Sequence, residues 1–206
     1  MSIIAFVNQK GGCGKSTCSV HLAAFLLSLH HKNVLLIDAD AQQSSSLWAK
    51  ALSIPYATIG DADDLFDSLP GLAKKCDFLI VDGPGSYNEV TKSILTRADL
   101  ALIPCQPTGL DLASSNKIIR ALRQAQELRA GLPNAYIFLN RAVKGTLLLR
   151  ESQRALKDLG IAIASSVIHQ RQAIADAPSQ GSTVWQMPAV DAARDFELLF
   201  EEVLFG

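Results

Sequence analysis

Short, almost wholly apolar runs alternate along the chain with longer segments in which apolar positions recur every three to four residues. The runs at 3–8, 34–38, 78–82, 100–104, 135–139 and 162–167 predict strands, and their continuous apolarity predicts that both faces are covered. The longer segments at 15–30, 44–50, 65–72, 88–97, 111–130, 147–159 and 190–205 predict helices. Strand and helix in strict alternation imply an α/β fold, a mostly parallel twisted sheet with helices on both faces. No Gly/Ser/Pro linker, repeat or low-complexity tract interrupts the pattern, so one domain is expected over 1–206.

Parallel sheets of this kind bind ligands beyond the carboxyl ends of their strands. The polar residues cluster there. After the first run comes Gln9-Lys10-Gly11-Gly12-Cys13-Gly14-Lys15-Ser16-Thr17, which leads directly into a helical segment. Glycines let backbone N–H groups close around phosphate oxygens, a helix N-terminus adds partial positive charge, Lys15 neutralises the β and γ phosphates, and Ser16 can ligate Mg²⁺. The pattern is KGGxGK[ST] rather than GxxxxGK[ST], because Gln9 stands at the first glycine position and Lys10 follows it.

Two runs end in carboxylates, Ile37-Asp38-Ala39-Asp40 and Val81-Asp82-Gly83-Pro84-Gly85. An aspartate closing an apolar parallel strand is costly to bury unless a cation or hydrogen bonds engage it. Beside a phosphate loop, Mg²⁺ is the natural cation, with Ser16, Asp38 and Asp82 as the metal-site candidates. Capping of the next turn is the alternative for Asp38, Asp40 and Asp82.

Through these segments the sequence resembles the deviant Walker A class of P-loop ATPases, the ParA/MinD group, over almost its whole length. The resemblance implies ATP and Mg²⁺ as cofactors and a homodimer with ATP sandwiched at its interface. Residues Gly11, Gly12, Cys13, Gly14, Lys15, Ser16 and Thr17 would hold the nucleotide, and Lys10 would cross to the phosphates of the other subunit. Asp82 resembles the Walker B aspartate, acting on the metal through water. Asp38-x-Asp40 resembles a segment in which the first aspartate supports the metal shell and the second positions or activates the attacking water. Lys10, Lys15 and Asp40 are thus the catalytic candidates, and Ala41 stands where the family has proline. Slow hydrolysis is expected without a partner, since no arginine lies in the loop. Pro107, Asn140 and Arg141 resemble segments that frame the base, with Asn140 reading the adenine edge and Arg141 flanking it. The stretch from Asp176 to Gly181 resembles a late family segment, and His169 before it is expected to be a satisfied loop histidine.

Composition and charge then select among the branches. Lys and Arg total 19 against 20 Asp and Glu, a formal charge of −1, which offers no general attraction to nucleic acid. The charge is nevertheless segregated. Residues 117–171 hold ten basic and three acidic residues, a local +7, and the remainder carries −8. Lys144, Arg150, Arg154, Lys157 and Arg171 are the candidate DNA contacts, three of them at i, i+4 and i+7 on one helical face. Phe196, Leu199, Phe200 and Val203 share a face of the last helical segment, but its charges are acidic, which argues for core packing and against a membrane surface. No cysteine follows Asp82 closely, which argues against an iron–sulfur cluster. Cys13, Cys18, Cys76 and Cys105 are expected to be buried thiols.

The expected function is a cytoplasmic, nucleoid-associated ATPase that binds nonspecific DNA as an ATP dimer and hydrolyses ATP when a ParB-like or cargo adaptor stimulates it. The cargo would be a plasmid, a chromosome region or a carboxysome. The alternative is a small metabolic P-loop enzyme that transfers phosphate to a small acceptor.

Overall fold

The computed structural model describes residues 2–206, with the side chains of 109–115 outside the description. Seven strands form one parallel sheet in the order β3-β2-β4-β1-β5-β6-β7. They are β1 (Ser2–Phe6), β2 (Val34–Asp38), β3 (Tyr56–Thr58), β4 (Phe78–Asp82), β5 (Leu100–Cys105), β6 (Asn134–Ala142) and β7 (Ala162–His169). The α-helices are α1 (Lys15–Ser28), α2 (Ser44–Ala51), α3 (Ala62–Ala73), α4 (Glu89–Arg97), α5 (Gly109–Leu128), α6 (Leu147–Lys157), α7 (Gln172–Asp176) and α8 (Val190–Phe205).

The pleat sends successive side chains to opposite faces, and each face has its own core. Ile4 and Phe6 of β1 pack with Leu22, Phe25 and Leu26 of α1, Trp48 of α2 and Phe196 and Phe200 of α8. Ile3 and Ala5 pack on the other face with Leu65 and Leu69 of α3, Ile94 of α4, Leu122 of α5 and Leu156 of α6. The expected apolar stripe of α8 is therefore core: Phe196, Leu199, Phe200 and Val203 are all buried. All four cysteines are buried and none is in a disulfide. No described helix is long and apolar enough to cross a membrane.

Several elements differ from the sequence expectation. Strand β3 escaped it, because this edge strand is three residues long and two of them are exposed, so no apolar run marks it. Helix α3 begins three residues before the expected 65, where the Asp61 carboxylate accepts from the amides of Asp63 and Asp64 and caps the turn. The short α7 was not foreseen. Strand β6 runs three residues past 139 through a register irregularity against β7, so Asn140 and Arg141 belong to the strand rather than to the loop after it. His169 likewise closes β7, where its Nδ1 lies 3.0 Å from an Asp195 oxygen.

The free edge of β7 is closed by side chains of α8. The Glu202 carboxylate accepts from the amides of Ser165 (2.6 Å) and Ser166 (2.9 Å), and Asp195 accepts from that of His169 at 3.1 Å. Two carboxylates on edge amides block pairing with another strand.

At the centre of the first face, His21 of α1 stacks on Phe196 with ring centroids 4.3 Å apart and meets Trp48 edge-on. Its Nε2 accepts from the Val184 amide (3.3 Å), so Nδ1 carries the proton donated to the Thr17 carbonyl (2.8 Å). Complete burial pushes its pKa down from 6.5 to about 4. In the unfolded chain the imidazole binds its proton at higher pH, so stability is lost as pH falls from about 6.5 through 4, by up to ~3 kcal/mol. Urea unfolding of wild type and His21→Gln at pH 7 and pH 4 should show this part of the pH slope missing in the variant. An identical slope in both would mean that other groups carry it.

Candidate nucleotide-binding site

The register of the sheet sets three strand ends at one level. Asp82 pairs with Phe6 on one side and with Asp38 on the other, so the loop after β1 emerges directly beside both carboxylates. The loop runs from Gln9 to Gly14, and α1 starts at Lys15 with its first amides facing the loop. Gly14 adopts φ +103°, a conformation that only glycine takes without strain. From the far side, Gly85 after β4 approaches so closely that a Cβ there would lie 3.3 Å from the Gly11 Cα. The first glycine of this pair serves the turn and the second the contact.

Lys15 is buried, and its ammonium donates to the Lys10 carbonyl at 3.1 Å. Lys10 is half-buried at the rim of the loop. Its amide donates to Asn8 Oδ1 at 3.3 Å, while the Asn8 amide nitrogen donates to the Pro104 carbonyl at 2.7 Å, tying the loop's entry to the end of β5. Two further side-chain amides hold the loop from outside. Gln106 Nε2 donates to the Gly12 carbonyl (3.0 Å) and Asn140 Nδ2 to the Cys13 carbonyl (2.7 Å).

The carboxylates divide into two environments. Both oxygens of Asp38 are engaged by backbone amides, Asp40 at 3.1 Å and Ser46 at 2.8 Å, so Asp38 holds the first turn of α2. The capping alternative thus describes its contacts here, with lone pairs left over for the water shell of a metal. Asp82 is 0 % exposed and neither of its oxygens has a hydrogen-bond partner. Desolvation is the main reason its pKa rises to about 7; the nearby Ser16 and Ser45 hydroxyls offset part of this without reaching hydrogen-bond geometry, and the Asp38 charge adds to the rise. A buried, unsatisfied carboxylate next to Ser16 fits a divalent cation. Among the described residues no three His, Cys, Asp or Glu side chains gather into a metal cage. That donor set suits Mg²⁺, which keeps several waters and takes one or two protein ligands alongside phosphate oxygens.

Asp40 is half-buried at the mouth of the site, and its Oδ1 accepts from the Gln42 amide at 3.0 Å. With the Gln43 amide donating to the Asp40 carbonyl at 2.9 Å, this builds the turn without the proline that Ala41 replaces.

Beyond Thr17 opens a cleft of about 1000 Å³ whose walls include Pro107, Asn140, Arg141, Lys144, His169 and Arg171. Pro107, Asn140 and Arg141 are thus brought together beside the loop. Asn140 is almost fully buried, with its amide nitrogen turned onto the loop, whereas Arg141 is exposed and has φ +56°. Of the basic candidates, Lys144, Arg150, Arg154 and Lys157 are exposed. Arg171 differs from these four: its guanidinium pairs with Asp195 (3.1 Å) and Asp191 (3.4 Å), and it stands in the cleft wall. Asn8, Ser45, Gly85 and Gln106 were not singled out from sequence, and only their place just after strand ends, or in the next turn, could have drawn attention to them.

A parallel sheet with a glycine loop at the N-terminus of its first helix and a carboxylate at the end of the neighbouring strand is a nucleotide-binding domain. The chain belongs to the family described as the CobQ/CobB/MinD/ParA nucleotide binding domain, which matches residues 4–184. Within it, the chain is 28 % identical to the Maintenance of carboxysome distribution protein A of Halothiobacillus neapolitanus, over 98 % of this chain and 95 % of that one. It is also 28 % identical to the chromosome-partitioning ATPase Soj of Thermus thermophilus, over 98 % of this chain and 94 % of that one. In fold it matches the apo structure of Cyanothece McdA with a TM-score of 0.83 at 17 % identity, covering 98 % and 99 % of the two chains. The family and the doubly covered parallel sheet are those the sequence implied.

Proposed function

We propose that this protein is a positioning ATPase that binds Mg²⁺–ATP, dimerises around it, holds nonspecific DNA and hydrolyses ATP when an adaptor on the cargo stimulates it. The observation that carries the reading is the loop Lys10–Ser16 set against the buried, unsatisfied Asp82. The loop amides and Lys15 bind the triphosphate, and Ser16 and Asp82 hold the metal. Mg²⁺, when bound, neutralises charge on the β and γ phosphates. Asp40, at the mouth, orients or deprotonates the attacking water, and Lys10 reaches the phosphates of the partner subunit. A carboxylate as the activating group, with no arginine in the loop, makes basal hydrolysis slow. The relatives' names, carboxysome distribution and chromosome partitioning, indicate the kind of cargo.

The exposed Lys144, Arg150, Arg154 and Lys157 supply the phosphate contacts, doubled in a dimer. Gel shifts with nonspecific duplex should show binding with ATP, none with ADP, and loss as salt rises. Reversing Arg150 and Arg154 to Glu should lower DNA affinity by about tenfold or more with ATP binding unchanged. Retention of DNA by that variant would remove α6 from the interface, and no binding by wild type under any condition would favour a small-molecule phosphotransferase instead.

A further inference from the structure

The Asn140 side chain sits where an adenine-reading residue is expected, yet one of its two amide hydrogens is committed to the phosphate loop. Nδ2 donates to the Cys13 carbonyl at 2.7 Å across 127 positions of sequence, and the residue is 4 % exposed. The fit is close: a Cβ on Gly14 would lie 2.1 Å from that nitrogen, so the amide occupies the space that a side chain at 14 would need. Arg141, the next residue, holds a left-handed φ of +56° at the register irregularity between Leu139 and Ala142, so the strand departs from regular pairing where Asn140 meets the loop. Gln106, from the loop after β5, does the same to the neighbouring Gly12 carbonyl at 3.0 Å.

In a trans peptide the C=O and N–H of one unit point in opposite directions. A carbonyl held outward by Asn140 therefore turns the Gly14 N–H inward, and one held by Gln106 does so for the Cys13 N–H. Left unheld, either carbonyl could rotate into the cradle and repel phosphate oxygens. We propose that Asn140 is a positioning residue for the triphosphate, acting by fixing the orientation of the Cys13–Gly14 peptide rather than by reading the base. This rests on the nucleotide-site reading above and deepens it, since it predicts which part of the ligand feels the residue.

Affinity for Mg²⁺–ATP and for Mg²⁺–tripolyphosphate, which has no base or sugar, separates the two roles. In Asn140→Asp the donor becomes an acceptor facing the Cys13 carbonyl, and in Asn140→Ala the donor is removed without repulsion. Both ligands should lose affinity by the same factor, about tenfold or more for Asp and less for Ala, as measured by calorimetry on proteins whose circular dichroism matches wild type. Loss confined to ATP would make Asn140 a base reader and overturn the proposal, as would unchanged affinity for both ligands. Failure of the wild type to bind either ligand would instead refute the nucleotide-site reading itself.

Discussion

Asp82→Asn is expected to make the nucleotide-free protein more stable at pH 8 while removing its response to Mg²⁺–ATP. Asp82 is completely buried between β1 and β2, and no group donates a hydrogen bond to either oxygen. Desolvation raises its pKa from 3.8 to about 7. The sign follows from which state binds the proton more tightly. Between pH 3.8 and 7 the folded carboxylate keeps a proton that the unfolded one has lost, so stability falls as pH rises through that window and the whole cost is present above it. A displacement of about three pH units corresponds to ~4 kcal/mol, an upper figure because the folded site can relax. The amide of Asn carries no charge to desolvate and can donate to the Ser45 hydroxyl, which itself lacks a partner. Urea unfolding without metal should place the variant above wild type by on the order of 2–4 kcal/mol at pH 8, with the gap closing toward pH 4. Adding Mg²⁺–ATP should raise the wild-type midpoint and leave the variant's almost unmoved. A variant less stable than wild type at pH 8 would mean that the protein alone satisfies the carboxylate, and the case for a cation at this position would fall.

That strain explains why this part of the site was legible in the sequence. An aspartate at the end of Phe78-Leu79-Ile80-Val81 violates the apolar pattern of a buried strand, and the violation itself points to a ligand. The loop is legible for a related reason: glycines, Lys15, Ser16 and a helix start must follow one another at fixed short spacing, so the signal is local. What the sequence hid is what depends on distant contacts. Gln106 meets the loop across 94 positions and Asn140 across 127, and an amide looks the same in a sequence whether it reads a base or grips a carbonyl. Asp38 shows the same ambiguity, since a carboxylate capping α2 and one supporting a metal shell share a residue type and a strand end. Strand β3 was invisible because an exposed three-residue edge has no apolar alternation to display. Arg171 was grouped with the α6 stripe by its place in the chain, whereas folding brings it against Asp191 and Asp195 of α8.

Lys10→Ala should bind ATP within a few-fold of wild type, fail to dimerise with it, and lose stimulated hydrolysis by two orders of magnitude or more. Binding survives because Lys15, the loop amides and Asp82 all belong to the subunit that holds the nucleotide. On the proposed reading dimerisation fails because the cation that would reach across to neutralise the partner's phosphates is gone, leaving two anionic nucleotides facing each other. Light scattering with and without ATP gives the first readout and phosphate release the second, but neither separates a lysine acting in its own site from one acting across the interface. Mixing does. In a dimer of Lys10→Ala with Asp40→Ala, the site on the Lys10→Ala subunit keeps its own Asp40 and receives Lys10 from its partner, whereas the other site lacks both. Two variants that are inert alone should therefore regain turnover when combined, at one of the two sites of each mixed dimer. If Lys10 served its own subunit's nucleotide, the first site would lack Lys10 and the second would lack Asp40, and the mixture would stay as inert as its components.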